Sequence, residues 1–203
     1  MNGSAAIAYN LMQHTPKSVI NVAILGAEST GKTTLCRDLA AHFDSPWVPE
    51  YMRTYLQAKW DNEQLTCTWD DLLPIAQGQI ELENRLAKQT AHMSEEAGYV
   101  FCDTSLFELM VYSNWYYGDS PEALTKAALA HHYDLMLLTE VNVPWVADDL
   151  RDSPHQREEI SAFFASQLNT HQKPFRCIGG DRNNRVQQVM ALLDKMNKIS
   201  RDE

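Results

Sequence analysis

The sequence predicts an α/β fold with a five-stranded parallel sheet at its core and helices on both faces. Three observations carry this. Short apolar, β-branched runs alternate with longer helical stretches along the whole chain. Each run ends in glycine, an acidic residue or threonine rather than in a hairpin turn. The first run leads directly into Gly26-Ala27-Glu28-Ser29-Thr30-Gly31-Lys32-Thr33, which has the spacing G-x-x-x-x-G-K-[ST]. Strands separated by helices need crossover connections. Such connections make the sheet parallel and bury it on both faces.

Residues 1–18 read as an N-terminal leader, with a short helix around Ile7–Met12 and partial disorder as the two readings, and Pro16 ending it. Residues 19–203 form the single domain, a length that suits one core. Val19–Leu25 is the first strand, continuous in apolar character as a doubly covered strand must be. A helix follows over about 31–42, with Leu35, Leu39 and Phe43 on one face. Trp47-Val48 is a short second strand between prolines, and a helix begins near Glu50. Residues 59–70 read as a loop, and Asp70 as the cap of a helix over 71–92. Tyr99–Cys102 is the third strand, ending at Asp103. Helices follow from Ser105 to about Tyr117, stopped by Gly118, and from Pro121 to about His131. Leu135–Thr139 is the fourth strand. A polar stretch over 142–156 leads to a helix over 157–169. Phe175–Ile178 is the fifth strand, and 183–199 the last helix. In a right-handed parallel arrangement every strand's C-terminal end lies on one edge, where ligands bind.

Composition narrows the function classes. There are 27 acidic and 17 basic residues, a net charge of −10, so the surface as a whole repels nucleic acid and anionic membranes. A phosphate ligand therefore has to be held by a few placed cations and by backbone N–H groups. Four cysteines, Cys36, Cys67, Cys102 and Cys177, show no C-x-x-C spacing, and they read as thiols of a reducing compartment. No apolar run approaches the ~20 residues of a membrane span, and the expected location is the cytoplasm.

The glycine-rich segment is a P-loop. Its glycines let the chain wrap a phosphate, and the following helix adds its positive N-terminal end. Gly26, Ala27, Glu28, Ser29, Thr30, Gly31, Lys32, Thr33 and Thr34 are thus the candidate ATP-binding residues, with Lys32 reaching the β- and γ-phosphates. Thr33 is a candidate Mg²⁺ ligand. Asp103 stands where such folds place the metal carboxylate; the plain alternative is a helix cap. Glu50 ends the second strand on the same edge and can take a proton from an attacking hydroxyl. Arg53, one turn on, either orients Glu50 or meets a phosphate. Arg151 and Arg157, in and beyond the polar stretch, are candidate lid cations closing over the γ-phosphate. Arg182 or Arg185, after Gly179-Gly180, is placed to stack on adenine. Trp47, Tyr51, Trp115, Tyr116 and Tyr117 offer an aromatic wall for a flat heterocycle.

Beside the P-loop, three segments carry a specific resemblance: Pro49-Glu50-Tyr51-Met52-Arg53, Asp103-Thr104 and Pro144-Trp145-Val146-Ala147-Asp148-Asp149-Leu150-Arg151. The helix around Ile75-Ala76-Gln77-Gly78-Gln79 matches in style. Over about residues 19–196 the chain resembles the ribosylnicotinamide kinase domain of bacterial bifunctional NAD-salvage proteins, within the P-loop nucleoside-kinase-like family. The resemblance implies a P-loop NTPase fold with a mobile, arginine-bearing lid. It implies transfer of the ATP γ-phosphate to the 5′-hydroxyl of nicotinamide riboside, with Mg²⁺. The implied catalytic set is Lys32, Glu50, Asp103, Arg151 and Arg157. The resemblance places Glu50 at the riboside; the expected substrate contacts are Trp47, Glu50, Tyr51, Arg53, Gln79 and Tyr116, with the riboside between the Glu50 helix and the 71–92 helix. Family members carry an aromatic residue directly before the Glu-Tyr pair; here it is Pro49, and Trp47, two residues back on the same side of the strand, either substitutes for it or packs in the core. The adenylyltransferase half of those proteins has no counterpart in this sequence, so the expected product is the mononucleotide. A kinase for another small nucleoside-like substrate and a P-loop ATPase switch acting on a protein partner are the rival readings. Either Glu50 or Asp103 is the base, and the oligomeric state stays open.

Overall fold

The computed structural model describes residues 8–93, 97–145 and 155–202. Five strands, β1 (Val19–Leu25), β2 (Trp47–Val48), β3 (Gly98–Asp103), β4 (Leu135–Thr139) and β5 (Arg176–Ile178), form one parallel sheet in the order β2-β3-β1-β4-β5. Among the described residues the helices are α1 (Lys32–His42), α2 (Tyr51–Glu63), α3 (Leu72–Met93), α4 (Leu106–Tyr117), α5 (Glu122–Ala130), α6 (Arg157–Thr170) and α7 (Arg182–Asp202). This is the P-loop kinase-like architecture. β1 sits centrally, with β3 on one side and β4 on the other, so the chain crosses over in opposite directions from it. The crevice at that switch point opens above the P-loop.

Alternation along β1 separates the two cores. Val22 and Ile24 face α1 and α7, meeting Leu35, Leu39, Val189 and Leu193. Ala23 and Leu25 face the larger core, built from α3 to α6 with Ile75, Ile80, Leu106, Phe107 and Phe164. Both faces of the strand are covered, which is why it reads as an unbroken apolar run.

Three local expectations are corrected. α2 runs on to Glu63, where a loop was expected from residue 59. Lys59 is held there by an ion pair of 2.5 Å to Asp71, which ties the helix end to the next element. The residue that caps the α3 entry is Thr68, not Asp70. Thr68 and Asp71 form a capping box around a 3₁₀ turn at Trp69–Asp71, and Asp71 also accepts from the Tyr55 hydroxyl at 3.0 Å. Residues 8–12 are not helical. They lie as an extended strap: Leu11 is buried and its carbonyl meets His131 Nε2 at 2.7 Å, while Asn84 donates to the Met12 carbonyl and accepts from the His14 N–H.

One glycine sets how α2 and α3 approach. A Cβ on Gly78 would lie 2.1 Å from the Tyr51 ring, so only glycine lets the first turn of α2 rest on α3. Next to it the Tyr51 N–H donates to Gln79 Oε1 at 2.9 Å. That bond satisfies one of the orphan donors at the helix start and fixes the position of Glu50, the residue preceding α2.

Candidate active site

The strand ends assemble the site. β1 delivers the P-loop, β2 delivers Glu50, β3 delivers Asp103 and β4 delivers Thr139. A Cβ on Gly26 would meet Thr139 Oγ1 at 2.3 Å, and Gly26 has φ 145°; the loop can pass this close to β4 only as glycine. Thr30 is fully buried, and its hydroxyl bonds the Ala27 carbonyl and Thr139 Oγ1, both at 2.7 Å. The Thr30 hydroxyl therefore shapes the loop, which leaves its backbone N–H groups, Lys32 and Thr33 as the groups available to a phosphate.

The Lys32 ammonium donates to the carbonyls of Gly26 (2.7 Å) and Ala27 (3.2 Å) and pairs with Glu108 Oε1 at 3.2 Å. Burial alone would lower the lysine pKa. Glu108, Glu50 and Asp103 outweigh burial and raise it, so Lys32 stays charged. Thr33 Oγ1 donates to Asp103 Oδ2 at 2.5 Å. The other oxygen, Asp103 Oδ1, is buried with no hydrogen-bond partner. Burial, reinforced by Glu50 and opposed by Lys32, pushes Asp103 up to about 6.

An orphaned carboxylate oxygen beside a threonine hydroxyl fits Mg²⁺, which takes one or two protein oxygens and completes its shell with water and phosphate. Among the described residues no three His, Cys, Asp or Glu side chains cluster as an all-protein metal cage would need, and a phosphate-borne cation needs none. Thr33 and Asp103 are the residues that would hold it.

Glu108 is the functional candidate that sequence reasoning missed. It is 2% exposed, its Oε2 accepts the Gly26 N–H at 3.2 Å, and burial pushes it up to about 7 against the pull of Lys32. The available signal was a lone carboxylate in the apolar run Leu106-Phe107-Glu108-Leu109-Met110-Val111, since a buried charge without a partner is too costly to keep.

The P-loop opens into a cleft of about 950 Å³ walled by α2 and α4. Glu50, Met52, Arg53 and Leu56 line one wall; Glu108, Leu109, Tyr112 and Tyr116 line the other. Of α3, only Leu72 reaches it. The wall opposite α2 is thus α4, where the sequence pointed to the 71–92 helix. Gln79 lies outside the main cleft: it is buried and bonds the Tyr51 N–H and Glu83. Tyr51 packs on Gly78, so both residues join α2 to α3. Trp47 does not line the cleft either. Val48 takes the inward position of the two-residue strand, which turns Trp47 to the α1 side, where the Arg37 guanidinium lies 5.1 Å over its ring.

The arginines divide. Arg157 is buried and donates to the carbonyls of Ser29 (3.0 Å) and Val143 (2.9 Å), bracing the P-loop from the start of α6. Arg185 is a strap, not an adenine platform: it donates to the carbonyls of Thr30, Gly180 and Glu140 and to Asn142. Arg182 stands at the cleft rim in a two-bond pair with Asp38 at 2.6 and 2.7 Å. Arg151, like Asp148 and Asp149, lies outside the described residues.

Fold and site together define a P-loop nucleoside-triphosphate-binding protein of kinase-like architecture. The family described as an AAA domain matches residues 21–185, and the chain belongs to it. The chain is also homologous to the trifunctional NAD biosynthesis/regulator protein NadR. It is 28% identical over 184 residues to that of Escherichia coli K12, covering 89% of this chain and 43% of the relative. To that of Salmonella typhimurium LT2 it is 31% identical over 136 residues, covering 67% and 32%. The chain thus spans less than half the length of these curated relatives. Among solved structures, NadR in complex with NR superposes with TM-score 0.71 at 23% identity, covering 87% of this chain and 51% of that one. A deoxyadenosine kinase from M. mycoides superposes with TM-score 0.57 at 12% identity, covering 87% and 100%. A thymidylate kinase from Ehrlichia chaffeensis gives 0.57 at 12%, covering 86% and 98%. Among the described residues no helix is long and apolar enough to cross a membrane.

Proposed function

We propose that this chain is an ATP-dependent nucleoside kinase and that its acceptor is nicotinamide riboside. The observation that carries the reading is the continuous cleft joining the Lys32–Thr33–Asp103 cluster to a pocket between α2 and α4. A nucleotide switch needs only the phosphate end. The same cleft runs on from the P-loop into the space between α2 and α4, and that extension calls for a second small molecule. Its chemistry suits a cationic ring: Glu50 brings negative charge, and the faces of Tyr116 and Tyr117 attract a pyridinium. Homology to NadR and the NR-bound neighbour favour the same acceptor.

Thr33 and Asp103 would hold Mg²⁺, which when bound would neutralise charge on the phosphates. Lys32 leaves its carbonyl partners for the β- and γ-phosphate oxygens. Glu50, preceding α2, accepts the proton of the riboside 5′-hydroxyl. The hydroxyl oxygen bonds the γ-phosphorus, the bond to the β–γ bridging oxygen breaks, and ADP leaves with that electron pair. Arg53 steadies phosphate charge from one turn along α2, Arg157 keeps the P-loop in shape, and Arg182 stands at the rim of the site. Residues 19–203 are the transferring unit, and the cytoplasm is its place of action.

Glu50→Gln tests the assignment of the base. It should lower kcat by about 100-fold or more while the KM for ATP stays near the unaltered value. A change confined to the KM for the riboside would make Glu50 a binding residue instead.

A further inference from the structure

We propose that the Tyr112 hydroxyl is a specificity-determining contact to the sugar of the phosphate acceptor. The inference rests on the nucleoside-kinase reading and adds a residue to it. Tyr112 is 7% exposed, lines the cleft, and its hydroxyl oxygen is buried without a hydrogen-bond partner. A buried, unsatisfied hydroxyl costs stability, so a fold keeps one where a ligand completes it. The fold has no need of that oxygen. The ring is already seated edge-on to Phe164 at 5.2 Å and stacked with Tyr116 at 6.1 Å, contacts that a phenylalanine ring makes equally well.

Position identifies the part of the ligand that is read. Glu108 touches Lys32 and marks the γ-phosphate end of the cleft. Tyr112 lies four residues further along α4, one helical turn, or roughly 5–6 Å away. A sugar whose primary hydroxyl meets the γ-phosphate spans about that distance to its ring hydroxyls. Burial, reinforced by the negative charge of Glu108, Glu28 and Glu50, pushes the phenol pKa well up, and the hydroxyl keeps its proton to donate to a sugar oxygen.

Tyr112→Phe removes this one oxygen. With nicotinamide riboside as the acceptor, kcat/KM for the riboside should fall about tenfold or more. The KM for ATP should not move, and the melting temperature should hold or rise, because no protein contact is lost. A kcat/KM within about twofold of the unaltered protein overturns the inference and leaves the kinase reading standing. A melting temperature that falls together with activity assigns the hydroxyl to the fold and overturns it as well. If the unaltered protein does not phosphorylate nicotinamide riboside, the functional reading itself fails, and the inference fails with it.

Discussion

Lys32 and Glu108 form the most consequential pair of single residues. All three ammonium hydrogens of Lys32 are engaged, two by P-loop carbonyls and one by Glu108. Binding a phosphate means exchanging some of these partners. Lys32→Ala should abolish turnover, and it should also destabilise the protein by about 3 kcal/mol or more, since it strands a buried carboxylate. Adding Glu108→Gln should restore much of that stability without restoring activity. Denaturant melts of the two variants, read beside turnover, separate the structural from the chemical share of the pair. A second buried carboxylate gives a pH signature away from the cleft. Glu83 accepts from Tyr133 at 2.8 Å and from Gln79 at 3.4 Å, and burial pushes it up to about 7 from an ordinary 4.5. A raised carboxylate pKa means that the folded state holds its proton longer than the unfolded one. Its contribution is fully present below about 4.5 and is lost as pH climbs to about 7. Glu83→Gln keeps the acceptor for Tyr133 and removes the charge. Its melting temperature should exceed that of the unaltered protein by a margin that grows from pH 5 to pH 8, and equal margins at both pH values would contradict this assignment.

At the scale of elements, the site depends on how α2 is seated. Glu50 and Arg53 belong to the start of a helix with no fully buried residue of its own. Its placement comes from Tyr51 against Gly78, the Tyr51–Gln79 bond, and the far-end tie of Lys59 and Tyr55 to Asp71. α3 is therefore the platform on which the Glu50 end of α2 rests, even though it hardly touches the cleft. Gly78→Ala should cost about 1–3 kcal/mol by overpacking and lower kcat by displacing Glu50. Combining it with Tyr51→Ala should recover most of the stability. If Gly78→Ala left both melting temperature and kcat unchanged, the close approach would not be what seats α2.

At the scale of the molecule, the fold was legible because its signals are local. Apolar β-branched runs mark five strands, and the P-loop fixes which of them is central. The sequence also brought Thr33 and Asp103 to the same edge, where they lie 2.5 Å apart. What it could not show depends on which way a side chain turns once elements pack. Trp47 and Val48 are adjacent in a two-residue strand, and only the sheet's pairing with β3 decides which points inward. Gln79 and Tyr51 carry a resemblance to substrate contacts, yet the α2–α3 packing uses both. Arg185 reads like a ligand-facing arginine, and backbone carbonyls from three segments claim it. The opposite error is Glu108: one carboxylate inside an apolar helix lies far in sequence from the lysine it pairs with, and no spacing rule links the two. The net charge of −10 makes these few placed cations the molecule's means of holding a triphosphate.

The central claim is that phosphate leaves ATP for a small acceptor seated between α2 and α4. It is tested most directly by ADP release at saturating ATP and Mg²⁺ while nicotinamide riboside is titrated, with the mass of the product determined at the end. The account predicts a rate that rises from background to saturation with the riboside, and a product heavier than the riboside by one phosphoryl group. ADP release that is already maximal without riboside, or a riboside recovered unchanged, would contradict it.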